Sequence, residues 1–165
     1  MRTNLNLIDL TKSPFYERVS PYKCVISNEE NDFVCHIIFV LSASDYFLML
    51  FNNSDETCEI GNGVVVPRVR VNFADHLIME YIRFAYNDEM KINTQNVEDL
   101  LEFSSFLNST EMLALVEKFL CDTADSFSDN FDQYKDYFQI AEQYMLEQFK
   151  QKLISRSSVS TMQVG

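Results

Sequence analysis

The sequence contains few residues that interrupt regular structure: its 165 residues include three glycines, three prolines and no tryptophan. An all-β sandwich needs many tight turns, so this scarcity argues against that architecture and favours helices. No apolar run approaches the roughly 18 residues that a transmembrane helix needs. The first ten residues also lack the continuous apolar stretch of a secretory signal peptide. The length predicts one domain, or one domain with a short appendage, large enough for a core of its own.

Positive charge is scarce as well. Lysine and arginine together number 13 against 25 acidic residues, which gives a formal net charge of −12. A nucleic acid or an anionic membrane surface would require a basic patch, and the sequence has none. We therefore expect neither a nucleic acid nor a membrane as a partner of this segment, and the acidity mainly favours solubility.

Side chains that could catalyse a reaction or bind a metal are few and scattered. The adjacent residues Cys35 and His36 would point to opposite faces of a strand, which prevents them from acting together. His76 stands alone, the segment 61–63 is too short to cradle a phosphate, and the acidic residues in 122–132 lack the spacing of a calcium loop. The sequence thus predicts no catalytic residue, no metal ligand and no cofactor, and the chain is not expected to be an enzyme.

The four cysteines, at positions 24, 35, 58 and 121, are far apart and form no C-x-x-C motif. Cys24 and Cys35 fall in strand-like segments, which favours buried thiols in a reducing compartment over a disulfide or a metal site. Without a secretory signal, this predicts an intracellular protein, either cytoplasmic or nuclear.

A small sheet is predicted from alternating apolar and polar residues. Segments 22–27 and 33–36 are strand-like and are joined by a polar turn, which predicts a hairpin. Residues 52–63 are rich in turn-forming and acidic residues and are expected to be a loop. Residues 64–71 form a further strand, in which Pro67 indicates a sheet edge or a bulge.

The remaining segments have helical periodicity and short polar connections. They are 44–51, 73–86, a segment starting near Thr94, one following Ser109 and Thr110, and one long helix over about 131–153. Ser44 is placed to cap the first of these helices, with Asp45 in its first turn. Asn87 and Asp88 are expected to end the second. The order of elements predicts an α+β fold.

The most specific pattern lies in residues 35–51. The residues that carry it are His36, Leu41, Ser42, Ala43, Ser44, Tyr46, Phe47, Met49 and Phe51. They resemble the signature "aHr.vLa..S.yF..mF" of the BTB/POZ domain, a protein-interaction fold. Residues 79–86, 96–107 and 140–144 are similar to later motifs of that family, the last to the 3-box helices of cullin adaptors. The resemblance implies a cluster of helices packed beside a small β-sheet, with extra C-terminal helices.

The resemblance divides the chain into four segments. Residues 1–20 are an N-terminal segment, which would form either a strand exchanged with a second subunit or a short helix, or remain a loosely packed terminus. Residues 21–121 would be the BTB/POZ domain and 122–154 a helical extension of the 3-box or BACK type. Residues 155–165 are expected to be a flexible tail.

The resemblance implies a non-enzymatic interaction domain and favours the BTB part of a substrate adaptor in a cullin-RING ubiquitin ligase. Such adaptors carry an apolar residue and, two positions later, an acid in the loop after the signature helix, and apolar plugs are typical hot spots. Here the matching positions are Asp55, Glu56 and Thr57, so the apolar residue is missing and the acid is displaced by one. The cullin-contact candidates are Tyr46, Met49, Asn53, Asp55, Glu56, Tyr86 and Tyr134.

The alternative is a homodimeric scaffold or transcriptional co-regulator that recruits an unidentified protein and does not bind a cullin. The family's aspartate at the first strand of the domain corresponds to Lys23 here. The dimer-interface candidates are Leu5, Leu7, Ile8, Leu10, Phe15 and Lys23. A tetramerising domain of the ion-channel type is a third alternative, which the helical extension disfavours.

Overall fold

The computed structural model describes residues 6–9, 22–124 and 131–162, and the side chains within 22–124 and 135–156. The chain divides into two compact units, one of residues 1–91 with 107–109 and the other of 92–106 with 110–165. In the described residues the first unit holds five strands and three helices, and the second holds four helices. The predicted α+β fold is confirmed.

The first unit is built around a five-stranded sheet with the strand order β1-β3-β2-β5-β4. Its elements are β1 Asn6–Asp9, β2 Lys23–Ser27, β3 Asn31–His36, α1 Ile37–Ala43, α2 Asp45–Asn52, β4 Thr57–Ile60, β5 Val64–Arg70 and α3 Asp75–Asn87. The β1–β3 and β2–β5 pairs are parallel, and the β2–β3 and β4–β5 pairs are antiparallel. The segment around Leu7, only weakly strand-like in sequence, thus pairs with β3 of its own chain.

The predicted β2–β3 hairpin is confirmed, and a single side chain explains its tight turn. The Asn28 side-chain oxygen accepts the backbone N–H groups of Glu30 and Asn31 at 3.0 and 2.8 Å. Asn28 N donates to Asn31 O at 3.0 Å, which closes the hairpin. Nearly every residue of both strands is buried, as expected for strands in the middle of a sheet.

One prediction for the neighbouring region was wrong. Residues 57–60, predicted to be loop, form β4, in which only Ile60 is buried, so the composition of this strand resembles that of a loop. Pro67 was expected at an edge or a bulge, and it lies where β5 pairs with β4 alone, because the pairing of β5 with β2 begins at Arg68. Arg68 N donates to Glu56 O at 2.9 Å, so Glu56 and Arg68 are a hydrogen-bonded pair of the β4–β5 ladder. Hydrogen-bonded and non-hydrogen-bonded pairs alternate, so the next pair, Thr57 with Pro67, is non-hydrogen-bonded. The pairing with β4 therefore needs no N–H group from Pro67.

Helix α2 is capped and packed as its sequence predicts. The Ser44 side chain accepts the N–H of Tyr46 at 3.2 Å, and Asp45 lies in the first turn. Phe47 stacks on Tyr81 of α3 with ring centroids 4.4 Å apart, and the Tyr81 hydroxyl donates to Val40 O at 2.5 Å. Burial raises the pKa of Tyr81, which keeps this hydroxyl protonated as a donor. Helix α3 ends at Asp88, whose φ of 55° places it in the left-handed region.

The second unit contains α4 Val97–Phe106, α5 Thr110–Thr123, α6 Phe131–Gln143 and α7 Glu147–Met162. The predicted single helix over 131–153 was wrong, because the chain breaks at Met145, with a φ of 54°. Leu146 N donates to Ala141 O at 2.8 Å, the bond that closes a Schellman motif. No glycine or proline marks the break. It allows Leu146, Phe149 and Leu153 to be buried together.

The prediction of a flexible tail from residue 155 was also wrong for residues 155–162, which continue α7. That stretch contains no glycine or proline, and serine and threonine have only modest helix penalties. In the described part of the chain, no helix is both long and apolar enough to cross a membrane.

Candidate interaction surfaces

The exposed side of α2 is the most prominent apolar surface among the sequence-predicted site residues. Phe47 anchors the opposite side of the helix in the core, so Leu48 and Met49 face solvent, and Met49 is 61% exposed. At the end of the helix, the Asn53 amide donates to Met49 O at 2.8 Å, and Asn53 itself is exposed. Met49 and Asn53 therefore form one continuous face on a rigid, capped helix.

The loop after α2 is held in a fixed conformation by β5. The Ser54 hydroxyl donates to Arg68 O at 3.0 Å and accepts the N–H of Glu56 at 3.2 Å. Asp55 lies between these anchored residues with its side chain exposed. Among the described residues it has no hydrogen-bond or ion-pair partner. Its carboxylate is thus presented to solvent from an ordered loop.

Glu56, by contrast, is bound to arginines of its own chain. Arg70 Nε lies 2.9 Å from Oε1 and Arg70 Nη2 2.7 Å from the same oxygen, while Arg68 Nη1 lies 3.7 Å away. Hydrogen bonds from Arg70 are the main reason that the pKa of Glu56 is lowered. Arg68 in turn pairs with Asp32 at 2.9 Å. The acid of the candidate motif is therefore part of an internal network.

Two of the predicted tyrosines have structural contacts. Tyr46 is half-buried between the rings of Phe47 and Phe73, with centroids 5.4 and 6.0 Å away, and burial raises the pKa of its hydroxyl. Tyr86, near the end of α3, packs its ring on Phe39 at 4.5 Å. Tyr46 thus lies partly within the core of the first unit.

The Tyr86 hydroxyl also fixes His36, at the junction of β3 and α1. It accepts the backbone N–H of His36 at 2.7 Å and lies 2.8 Å from Nδ1. Since the oxygen already accepts one N–H, its own hydrogen can be donated to Nδ1, which favours the tautomer protonated at Nε2. The prediction of a structural role for His36 is confirmed, whereas Tyr86, 50 positions away, was not predicted as its partner.

The remaining site candidates are only partly described. Tyr134 lies in α6 of the second unit, but its side chain is outside the described residues. Leu7 and Ile8 lie in β1, opposite Asp32 and Phe33 of β3. Lys23 begins β2, opposite His36, and is half-buried. The other three dimer-interface candidates, Leu5, Leu10 and Phe15, lie outside the described residues.

The buried thiols are close together but poorly suited to chemistry. Cys24 and Cys35 are fully buried, as predicted, with sulfurs 3.5 Å apart across β2 and β3. The hydrogen bond with Cys24, followed by burial, raises the pKa of Cys35, so the reactive thiolate is disfavoured. In the part of the chain that is described, no three His, Cys, Asp or Glu side chains are grouped to hold a metal ion.

A small apolar cavity of about 60 Å³ lies within the second unit and was not foreseen from the sequence. It is lined by Val97, Leu101, Phe119, Leu120, Tyr137 and Ile140, with Thr94 and Glu98 also contributing. Helical periodicity predicted Val97, Leu101, Phe119 and Leu120 as core residues, but not Tyr137 and Ile140. A gap among them depends on how three helices pack, which periodicity does not determine.

An α+β scaffold that presents apolar and acidic side chains on a capped helix and an anchored loop defines a protein-interaction module. Residues 17–124 match the family model described as the BTB/POZ domain. The chain therefore belongs to the BTB/POZ domain family, whose fold is a protein-interaction fold and generally non-enzymatic.

Two solved structures give the extent of the likeness. The BTB domain of zebrafish PATZ1 is 13% identical, with 59% of this chain and 73% of that chain covered and a TM-score of 0.47. The BTB domain of human Gigaxonin is 11% identical, with 58% and 75% covered and a TM-score of 0.49. The sequence matches no curated protein at a significant level.

Proposed function

We propose that this chain is the BTB part of a substrate adaptor that joins a cullin scaffold to a target protein for ubiquitination. The observation that carries the proposal is the solvent-facing side of α2, where Met49 is 61% exposed on a helix that Phe47 anchors in the core. An exposed apolar side chain on a preorganised helix is suited to become a hot spot of an interface.

The residues around Met49 extend this surface. Asn53, four positions along, and Asp55, in the loop that Ser54 anchors, are both exposed. Asp55 rather than Glu56 would supply the negative charge to a partner, because Glu56 is paired with Arg70. In this proposal Met49, Asn53 and Asp55 contact the cullin, while Tyr46, Glu56 and Tyr86 support the scaffold. Tyr134 remains a predicted contact.

The C-terminal helices give the proposal a second support. Two further helices, α6 and α7, follow α5, and residues 140–144 resemble the 3-box of cullin adaptors. In such adaptors these helices enlarge the cullin contact. A domain that only dimerised would not need helices of the 3-box type.

The proposal is tested by titrating a cullin N-terminal domain against the purified chain by calorimetry. We expect binding at micromolar concentrations, and Met49→Ala should weaken it about tenfold, since a hot-spot truncation costs over about 1 kcal/mol. Val65→Ala on β5 is the matched control, because Val65 is 64% exposed and belongs to the β4–β5 hairpin, where it pairs with Glu59, and not to helix α2. Absence of binding at tens of micromolar would end the proposal.

The second candidate function is a homodimeric scaffold that recruits an unidentified protein. The observation that favours it is the position of β1 at one end of the sheet, since an edge strand can pair with a second copy. Light scattering at micromolar concentration tests this directly. The homodimeric scaffold is supported if the wild-type chain is a dimer and Leu7→Asp and Ile8→Asp convert it to a monomer. A monomeric wild-type chain rules it out.

A further inference from the structure

The β4–β5 connection consists of three residues, Gly61, Asn62 and Gly63, between the paired residues Ile60 and Val64. Asn62 has a φ of 60° and Gly63 a φ of 75°, so two consecutive residues occupy the left-handed region. Asparagine and glycine are the residues that tolerate this conformation best, which explains the composition of the connection. All three residues are exposed to solvent.

The side chain of Asn62 and the backbone nitrogen of Gly63 are both uncommitted. Among the described residues, neither the Asn62 carboxamide nor the Gly63 N–H takes part in a hydrogen bond. The one backbone hydrogen bond in the connection joins Val64 N to Gly61 O at 3.5 Å. A Cβ built at Gly63 would meet no atom beyond its chain neighbours within 4 Å, so no other part of the described chain crowds this turn.

We propose that Asn62–Gly63 is a site of covalent modification by deamidation and isomerisation. The deprotonated nitrogen of Gly63 attacks Cγ of Asn62, a bond between nitrogen and Cγ forms, and the bond from Cγ to Nδ2 breaks. The Nδ2 amino group takes up a proton from water and leaves as ammonia. A five-membered succinimide ring remains. Water then opens the ring at either carbonyl and yields aspartate or isoaspartate. The overall reaction consumes one water and releases one ammonia.

The chain contains a matched comparison at Asn108. This residue is also exposed and left-handed, with a φ of 51°, but it is followed by Ser109, which is only 4% exposed. Other asparagines have committed side chains: Asn28 donates to Phe73 O and Asn53 to Met49 O. Asn62 therefore combines an open nucleophile with an unengaged carboxamide, whereas Asn108 has a following residue that is buried and bears a side chain.

Modification would alter both the charge and the geometry of the hairpin. Either product adds one negative charge to a chain whose formal charge is −12. Isoaspartate also adds one methylene to the backbone between β4 and β5, beside the exposed Val64 and Val65. The reaction needs the deprotonated nitrogen of Gly63, so its rate rises with pH.

The test is to incubate the folded chain at mildly alkaline pH and body temperature, and to follow individual peptides by mass spectrometry. We expect the peptide with Asn62 to gain one dalton several times faster than the peptide with Asn108. Enzymatic methylation with labelled S-adenosylmethionine should detect isoaspartate in the wild-type chain. Asn62→Gly, which keeps a residue suited to positive φ, should abolish that signal.

Two outcomes would overturn the assignment. One is modification of Asn62 no faster than that of Asn108 in the folded chain. The other is product that forms only when the chain is unfolded in urea, because the hairpin would then protect the site. Circular dichroism of Asn62→Gly verifies that loss of the signal reflects chemistry and not unfolding. None of these measurements depends on the cullin proposal.

Discussion

Arg70 on β5 holds the carboxylate of Glu56 with one edge of its guanidinium group, Nε at 2.9 and 3.1 Å from the two oxygens and Nη2 at 2.7 Å from one. The pair joins the loop after α2 to the sheet. It also determines which acid of that loop is presented to a partner, since Glu56 is paired and Asp55 is exposed.

The pair should make Glu56 titrate below its ordinary pKa of 4.5, mainly through the hydrogen bonds from Arg70. A carboxyl group whose pKa is lower in the folded state stabilises the fold above its unfolded pKa, and this contribution is lost as pH falls through the folded pKa. Arg70→Gln should raise the pKa of Glu56 as measured by NMR. The loss of stability at neutral pH should stay below about 1 kcal/mol, because both side chains are substantially exposed.

Lys118→Gln is the control, because Lys118 is an exposed cation on α5 with no part in this network. It should leave the titration of Glu56 unchanged. Identical Glu56 titration curves in the wild type and Arg70→Gln would contradict the assigned cause of the shift.

Asp55→Leu should strengthen binding to a cullin N-terminal domain. The substitution restores an apolar side chain at the position where cullin adaptors carry one, and Ser54 and Arg68 keep the loop in place. Burying a leucine side chain contributes about 1.5–3 kcal/mol, which exceeds the roughly 0–1 kcal/mol that an exposed charge contact of Asp55 supplies, so the dissociation constant should fall by about tenfold. Calorimetry measures the change. Asp55→Asn removes the charge without adding apolar area. Equal changes in the dissociation constant for Asp55→Asn and Asp55→Leu would show that the buried leucine does not strengthen binding.

Tyr86→Phe should destabilise the first unit. The hydroxyl of Tyr86 accepts the backbone N–H of His36 at 2.7 Å, and removing it leaves a part-buried donor without its acceptor. Such a loss costs about 1–3 kcal/mol. Chemical denaturation measures the free energy of unfolding. Tyr144→Phe is the matched control, since the Tyr144 hydroxyl has no hydrogen-bond partner among the described residues, and a similar loss there would refute the explanation.

Local signals in the sequence predicted the features that depend on neighbouring residues. Ser44 with Asp45 marked the start of α2, Asn87 with Asp88 marked the end of α3, and the polar residues 28–32 marked the β2–β3 hairpin. Each of these is decided by a cap or a turn within a few positions. The signature in residues 35–51 added the fold, although of its apolar positions only Phe47 is fully buried and Met49 faces solvent.

Features that depend on distant residues were not predictable in the same way. Strand β4 has too few apolar residues to be recognised and exists because β5 pairs with it. The pairing of Glu56 with Arg70 joins residues 14 positions apart and decides which acid of the candidate motif is exposed. The break at Met145 has no local marker and is compensated by burial of Leu146 and Phe149. Tertiary packing determines all three.

Glu117→Ala should destabilise the second unit by weakening the start of α7. The Glu117 carboxylate on α5 accepts the N–H groups of Gln148 and Phe149 at 2.7 and 3.1 Å, and so acts as an N-cap from another helix. Loss of an N-cap costs about 0.5–2 kcal/mol. Glu117→Gln retains an oxygen acceptor and should lose less. Glu102→Ala, on the exposed side of α4, should change the unfolding free energy little, and equal losses in Glu117→Ala and Glu102→Ala would contradict the capping role.

Met145→Gly should increase stability, which few substitutions of a large apolar residue do. Met145 is 87% exposed, so it contributes little burial, yet its φ of 54° places a Cβ in the left-handed region. That conformation costs an L-residue about 1–2 kcal/mol, and glycine avoids the cost at the end of a Schellman motif. We expect a gain of up to about 1 kcal/mol, because glycine also loses more backbone entropy on folding. Met49→Gly, within the exposed side of α2, should instead lose about 1 kcal/mol. Thermal unfolding of both variants distinguishes a backbone effect from a general effect of glycine, and destabilisation by both would show that Met145 carries no strain.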